Sequence, residues 1–281
     1  MSSKKKIEVT APAKTNLWLR VLGKREDGFH EIESRMVNLS LQDHLTLQQT
    51  KGKKIELTCS DKSLPVGEDN LVVRAARAME SLTSKKLGLK IHLEKRIPCG
   101  AGLGGGSSDA AAVLHAVNQI GAFEIPLEDL VTAAASIGSD VPFFVHRTSC
   151  DVSGRGEIVE PVPEGKMPRL PIILIKPGFE ISSAWAYQNL ASSRDTNYPE
   201  SVPQICPWGS MENDLERPVF IKFPILCQIK EWLLKQPEIH AAILSGSGST
   251  VLAVLRHFDE GEPLVEKVKS YFGEETWTFC G

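Results

Sequence analysis

The sequence predicts an α+β protein built as two packed lobes. Three observations carry this expectation. The 281 residues lie at the limit that one hydrophobic core usually serves, roughly 250–300 residues. Residues 7–57 alternate apolar and polar side chains with the period of strands. Beyond residue 170 the order is strand, helix, strand, strand, helix, strand, which is the order of a ferredoxin-like lobe.

The elements follow in chain order. Ile7 and Val9, then Leu17, Leu19 and Val21, alternate with polar residues, and Asp27-Gly28 marks a turn before the next run. Leu39, Leu41, Leu45 and Leu47 continue the two-residue period, and Ile55 and Leu57 add a short strand. Asn70 is a good N-cap for a helix carrying Val72, Val73, Ala76 and Met79 on one face. Leu89, Ile91 and Leu93 alternate with charged or polar residues, which predicts a strand with one wet face. Helices are predicted over 109–120 and 127–137, the second stopped by Gly138. Ser153-Gly-Arg-Gly156 predicts a hairpin turn, and the lobe boundary is placed there: residues 1–156 in the first lobe, 157–281 in the second. The second lobe is expected to hold a buried strand at 170–175, a short helix at 184–190 and a long mobile loop over 192–210. A helix at 225–235, strands at 241–244 and 251–255, a helix at 264–272 and a last strand at 277–279 complete it.

Composition excludes several classes. With 32 basic and 35 acidic residues the net charge is −3, which exerts no long-range pull on nucleic acid or anionic membrane. The 42% hydrophobic content suits a soluble globular chain, and no run of about 18 apolar residues predicts a membrane span. The N-terminal lysines lead into no apolar signal core, so a cytoplasmic protein is expected. Six scattered cysteines form no C-x-x-C pair, which argues for free thiols and against a zinc site or disulfide scaffold.

The chemistry-bearing segment is Pro98, Cys99, Gly100, Ala101, Gly102, Leu103, Gly104, Gly105, Gly106, Ser107 and Ser108, lying between a strand and an alanine-rich helix. Glycine lets backbone amides approach a ligand, and a helix N-terminus adds free N–H groups and a positive dipole end. Together they describe a phosphate cradle, with the two serine hydroxyls able to bond phosphate or help hold Mg²⁺. A flexible linker is the plainer explanation, but ordered elements flank the segment. It is not a Walker A loop, because Gly106 is followed by Ser107 and not by lysine. Gly100, Gly102 and Gly105 match the dinucleotide fingerprint, but the preceding strand is too polar for a buried Rossmann strand.

Three further clusters are ambiguous alone. Lys14, in Ala11-Pro-Ala-Lys-Thr-Asn16, could be a solvated lysine. Asp140, between Gly138 and Pro142, could be a helix cap. Ser245, Gly246, Ser247 and Gly248 join two predicted strands and could be a hairpin turn or a second phosphate contact.

Their order resembles that of the galactokinase, homoserine kinase, mevalonate kinase and phosphomevalonate kinase (GHMP) superfamily. The motifs are Pro-Ala-Lys-x-Asn-Leu, then P-x-G-A-G-L-G-G-G-S-S-D-A-A-A, then S-G-S-G-S. Ala13–Leu17, Asp27-Gly28-Phe29-His30, Glu68–Leu71, Gly138–Pro142 and Met211–Leu215 make it most similar to the branch that phosphorylates 4-diphosphocytidyl-2-C-methyl-D-erythritol. The resemblance implies a GHMP-kinase fold. Its N-terminal lobe would carry a left-handed β-α-β unit, like domain 2 of ribosomal protein S5, and its second lobe would be ferredoxin-like. ATP, with Mg²⁺, would lie on the 98–108 loop and the substrate between the lobes. Lys14 and Asp140 would be the catalytic pair, with no dedicated protein metal site. Asn16 would meet the methylerythritol end and Ser183 a phosphate. Phe29, His30 and Tyr187 would hold the cytosine. The family more often has tyrosine at Phe29, so a phenolic hydrogen bond is lost while ring stacking is kept. A sister kinase for another small alcohol, a silent sensor on the same fold, and a dehydrogenase are the competing readings. The Lys14–Asp140 pair speaks against the sensor, and the aromatic cluster would separate the two kinases.

Overall fold

The computed structural model describes residues 5–196 and 202–281, which form two sheets and their covering helices. The first sheet is built on two long antiparallel strands, β1 (Lys6–Lys24) and β2 (His30–Gln49), joined by the expected Asp27-Gly28 turn. What looks in sequence like separate runs is one continuous strand in each case, carried through irregularities that include Pro12/Lys14 and Asn16/Trp18. β3 (Ile55–Cys59), α1 (Leu71–Thr83) and β4 (Leu89–Glu94) form a β-α-β unit with β3 parallel to β4, and β4 pairs with β2. Asn70 caps α1 as predicted, its side chain accepting from the Val72 N–H at 2.9 Å. Then come α2 (Gly105–Gly121), α3 (Leu127–Ile137), the short α4 (Val141–His146), and the hairpin β5 (Cys150–Ser153) and β6 (Ile158–Pro161).

β5 pairs with β2 and β6 with β5, so the first sheet runs past residue 156 to Pro161. The Ser153–Gly156 turn is a hairpin within the first lobe and not the crossing between lobes. The second sheet starts at β7 (Ile172–Lys176). After it come α5 (Ser183–Gln188), α6 (Leu190–Arg194), β8 (Gln204–Cys206), β9 (Gly209–Asn213), α7 (Glu216–Lys222), α8 (Pro224–Leu234), β10 (Ile239–Leu244), β11 (Val251–Leu255), α9 (Gly261–Phe272) and β12 (Trp277–Cys280). Its order, β10-β11-β7-β12 and antiparallel throughout, is ferredoxin-like.

The expected mobile loop at 192–210 is corrected. Residues 192–194 finish α6, 204–206 are β8 and 209–210 begin β9; residues 197–201 lie outside the described residues. β9 runs parallel to β1, pairing Trp18 with Glu212 and Leu19 with Asn213, and so returns the chain to the first sheet. Pairing distant in sequence cannot be read from local composition. α4 and α7 show no legible helical period in the sequence, because each is only about two turns long.

Three cores hold the molecule. One packs the first sheet against α1 and α2. The other two lie on opposite faces of β7: Ile173 and Ile175 in one, Ile172 and Leu174 in the other. Burial on both faces explains why this strand is wholly apolar. Among the described residues, no helix is long and apolar enough to cross a membrane.

Candidate active site

A cleft of about 820 Å³ lies between the lobes, and Pro98 to Ser107 form one wall. Three backbone bonds tie that loop down. Lys14 N–H donates to Leu103 O at 2.9 Å, Thr250 N–H to Ala101 O at 3.3 Å and Ile181 N–H to Gly100 O at 3.4 Å. The donors come from both lobes, so the segment is a fixed cradle and not a linker. Two glycines are required by space. Gly102 has φ +75°, and a Cβ there would lie 2.0 Å from Ser245 O. At Gly104, with φ +69°, a Cβ would meet Lys14 Cγ at 2.9 Å. α2 starts four residues earlier than predicted, at Gly105, and no side chain caps it. The N–H groups of Gly105, Gly106 and Ser107 therefore have no helical acceptor and carry the positive end of a 17-residue helix. Ser108 turns inward and its hydroxyl is buried without a partner.

Lys14 and Asn16 are two residues apart on β1 and so share a face, where both line the cleft. Lys14 is 5% exposed; its Nζ donates to Asn16 Oδ1 at 2.8 Å and lies 3.6 Å from Asp140 Oδ2. Asp140, at the start of α4, keeps a partly exposed carboxylate. The pair predicted from positions 14 and 140 is thus brought together. The Asn16 amide is also bonded at its other end, Nδ2 donating to Ser34 Oγ at 2.7 Å. One of its contacts thus holds the lysine.

The serine-glycine turn between β10 and β11 divides in two. Gly246 and Ser247 line the cleft, and Ser247 Oγ lies 2.8 Å from Ser183 Oγ, which also lines it. Ser245 is buried; it donates to Gly102 O at 3.2 Å and accepts from Thr15 Oγ1 at 3.1 Å. Gly248 N–H closes the turn onto Ser245 O at 2.9 Å. Ser245 and Gly248 are therefore committed to holding the loops together, which corrects the expectation of four phosphate contacts.

Phe29, His30 and Tyr187 all line the cleft. His30 and Tyr187 stack on each other, with centroids 5.4 Å apart at 26°. Phe29 stands apart, 47% exposed, with the Arg155 guanidinium 4.9 Å from its ring centroid. Burial, and then the Asp140 charge, push the Tyr187 phenol well above its ordinary range. Burial, then the Lys24 charge, lower His30 and favour the neutral imidazole.

Beneath the loop lies a buried ionic triad that sequence reading missed. Lys95 Nζ bonds Asp43 and, at 2.9 Å, Asp109 Oδ2. Asp43 Oδ1 also accepts from the Arg96 and Ile97 N–H groups at 2.5 and 2.9 Å. Burial raises Asp109 to about 7, against the opposing pull of Lys95. Asp43 stands between Gln42 and His44 and Lys95 between Glu94 and Arg96, so nothing local marks them, and positions 43, 95 and 109 meet only in the fold.

Among the described residues no group of three or more His, Cys, Asp or Glu could cage a metal. Mg²⁺ seldom needs one, since it usually keeps its waters and binds one or two carboxylates plus substrate phosphates. Asp140 and Ser107, which both line the cleft, fit that mode, whereas Ser108, expected to share in ligand binding, is buried and does not line it.

A glycine loop at a helix N-terminus beside a lysine–aspartate pair, in the cleft between two such lobes, defines a small-molecule kinase. The family description "GHMP kinases N terminal domain" matches residues 70–148 and "GHMP kinases C terminal" matches 208–274. A 4-diphosphocytidyl-2-C-methyl-D-erythritol kinase from Methylacidiphilum infernorum is 39% identical over 99% of this chain and 96% of its own. A crystal structure of 4-(cytidine 5'-diphospho)-2C-methyl-D-erythritol kinase superposes with a TM-score of 0.81 at 31% identity, covering 98% of both chains. Homoserine kinase from Cytophaga hutchinsonii shares the fold alone, with a TM-score of 0.66 at 19% identity over 100% of this chain and 95% of that one. The chain belongs to the 4-diphosphocytidyl-2-C-methyl-D-erythritol kinase family of the GHMP kinases.

Proposed function

We propose that the protein transfers the γ-phosphoryl group of ATP to the 2-hydroxyl of 4-diphosphocytidyl-2-C-methyl-D-erythritol, a step of the non-mevalonate route to isoprenoids. The observation that carries this is the Lys14–Asp140 pair at 3.6 Å on the floor of the cleft that the glycine loop walls. Phosphoryl transfer needs positioning and charge stabilisation more than covalent chemistry. The free N–H groups of α2 and its dipole receive the ATP phosphates. Asp140 accepts the proton of the attacking hydroxyl. Lys14 stands beside that carboxylate at 3.6 Å and offers charge to the phosphoryl group in flight. Asp140 and Ser107, on the cleft wall, are the residues that would hold Mg²⁺, which would supply neutralisation of phosphate charge. Ser183 and Ser247 are a hydroxyl pair suited to a phosphate of the substrate. Phe29, His30 and Tyr187 form the aromatic end for cytosine. The lobe division lies between Pro161 and Ile172.

The test is ATP-dependent phosphorylation of that substrate by wild type, Asp140→Asn and Lys14→Ala. A 2-phospho product, with kcat reduced on the order of 10²-fold or more by Asp140→Asn, supports the assignment. Full activity in Asp140→Asn would remove the base. Absence of product from folded, ATP-binding wild type would remove the substrate.

A further inference from the structure

Arg155 sits on the β5–β6 turn, inside the cleft, facing the ring of Phe29. Its backbone N–H donates to Glu157 Oε2 at 2.7 Å, which fixes the turn. One guanidinium nitrogen donates to Ala135 O at 3.1 Å, near the end of α3, which fixes the side chain. Among the described residues no carboxylate lies within ion-pair distance of that guanidinium. The adjacent Gly156 runs past the catalytic segment, a Cβ there falling 3.8 Å from Asp140 Oδ1.

Phe29 needs such a neighbour. Its backbone is held, because Asp27 Oδ1 accepts from the Phe29 N–H at 3.1 Å. Its ring has no hydroxyl to tether it and, among the described residues, no aromatic partner. The ring contact it makes is with the guanidinium at 4.9 Å, over its face. A cation on one face of a phenyl ring holds it by attraction to the ring quadrupole and leaves the other face free to stack.

We propose that Arg155 is a specificity-determining positioning residue. It orients Phe29 as the stacking wall for the planar base of the substrate, in place of a phenolic anchor. This rests on reading Phe29 as part of the base-binding end. The ligand chemistry implied is a pyrimidine ring whose diphosphate runs toward the catalytic pair.

The experiment measures KM for the diphosphocytidyl substrate, KM for ATP and kcat in Arg155→Ala, Arg155→Lys, Phe29→Ala and the double alanine variant, with melting curves. Phe29→Ala should raise the substrate KM on the order of tenfold, as loss of one base–aromatic stack does. Arg155→Ala should raise it about three- to tenfold, with kcat and the ATP KM within twofold. Arg155→Lys should recover part of the loss, and it carries the test if the alanine variant does not fold. The double variant should be no worse than Phe29→Ala alone. A normal substrate KM in Arg155→Ala beside a raised one in Phe29→Ala overturns the proposal and leaves the base-binding reading intact. A normal KM in Phe29→Ala overturns both. Additive effects, or a parallel change in the ATP KM, mean that Arg155 acts otherwise than through Phe29, and also overturn it.

Discussion

Replacing Lys95 with methionine should destabilise the protein strongly, and more so at high pH. The side chains of Lys95, Asp43 and Asp109 are 7%, 0% and 2% exposed. Two acids and one base give this cluster a net charge of −1 when all are ionised. Burial alone would lower Lys95, but the two carboxylates outweigh it and raise it. Burial raises Asp109 to about 7. The sign follows: a carboxyl whose folded pKa exceeds its unfolded value contributes stability at acid pH, and that contribution fades as pH climbs from about 4 to 7. Lys95→Met leaves two buried carboxylates with no cation, and breaking such a pair costs about 3–5 kcal/mol. The cost should be full near pH 8. Near pH 5 it should shrink by about 1 kcal/mol or more, because a proton on Asp109 removes one of the two buried charges. Asp109→Asn instead leaves a balanced Lys95–Asp43 pair, so its stability near pH 8 should lie within about 1 kcal/mol of wild type or above it. Urea unfolding of the three proteins at both pH values measures this. A loss below about 1 kcal/mol in Lys95→Met near pH 8, or an equal loss at both pH values, would refute the electrostatic argument.

Three other perturbations follow from the cleft. Gly102→Ala puts a methyl 2.0 Å from Ser245 O in a left-handed backbone, so it should cost about 1–3 kcal/mol and raise the ATP KM about tenfold, read by melting and steady-state kinetics. Asn16→Leu removes the oxygen that Lys14 Nζ donates to at 2.8 Å; kcat should fall about tenfold or more while the ATP KM stays within twofold. Asn213→Ala frees the Leu244 and Gly246 carbonyls, held at 2.8 and 2.7 Å, and the Leu215 N–H, held at 2.9 Å. All are buried, so thermal unfolding should register a loss of about 2–4 kcal/mol.

The parts that were legible in sequence are those whose causes are local. Asn70 caps a helix because its own side chain meets the Val72 amide two residues on. The β7 run is apolar because cores press on both faces. Gly102 and Gly104 of the 98–106 loop mark close approach. The paths of the chain back to the first sheet, through β6 and β9, were not legible, since nothing at positions 158–161 or 209–213 names its partner. Nor was the division of labour within Ser245–Gly248. One serine faces Gly102, 143 positions earlier, and the other faces Ser183. The aromatic end was found as a set but not as an arrangement: His30, and not Phe29, stacks with Tyr187.

The alternation of β1 explains how these remote pieces act together. Lys14 and Asn16 face the cleft, while Thr15 between them is fully buried and reaches the second lobe through Ser245 Oγ at 3.1 Å. Ser245 in turn donates to Gly102 O, and the Lys14 backbone donates to Leu103 O. Three consecutive residues thus set the cation, join the lobes and brace the phosphate loop. Each link is short and mostly buried, so moving the loop would break contacts that hold the lysine, and tilting the lobes would pull on both. The phosphate cradle and the Lys14–Asp140 pair are therefore held in register before any ligand arrives. That is the condition under which fixed dipoles and charges lower a phosphoryl-transfer barrier without first reorganising.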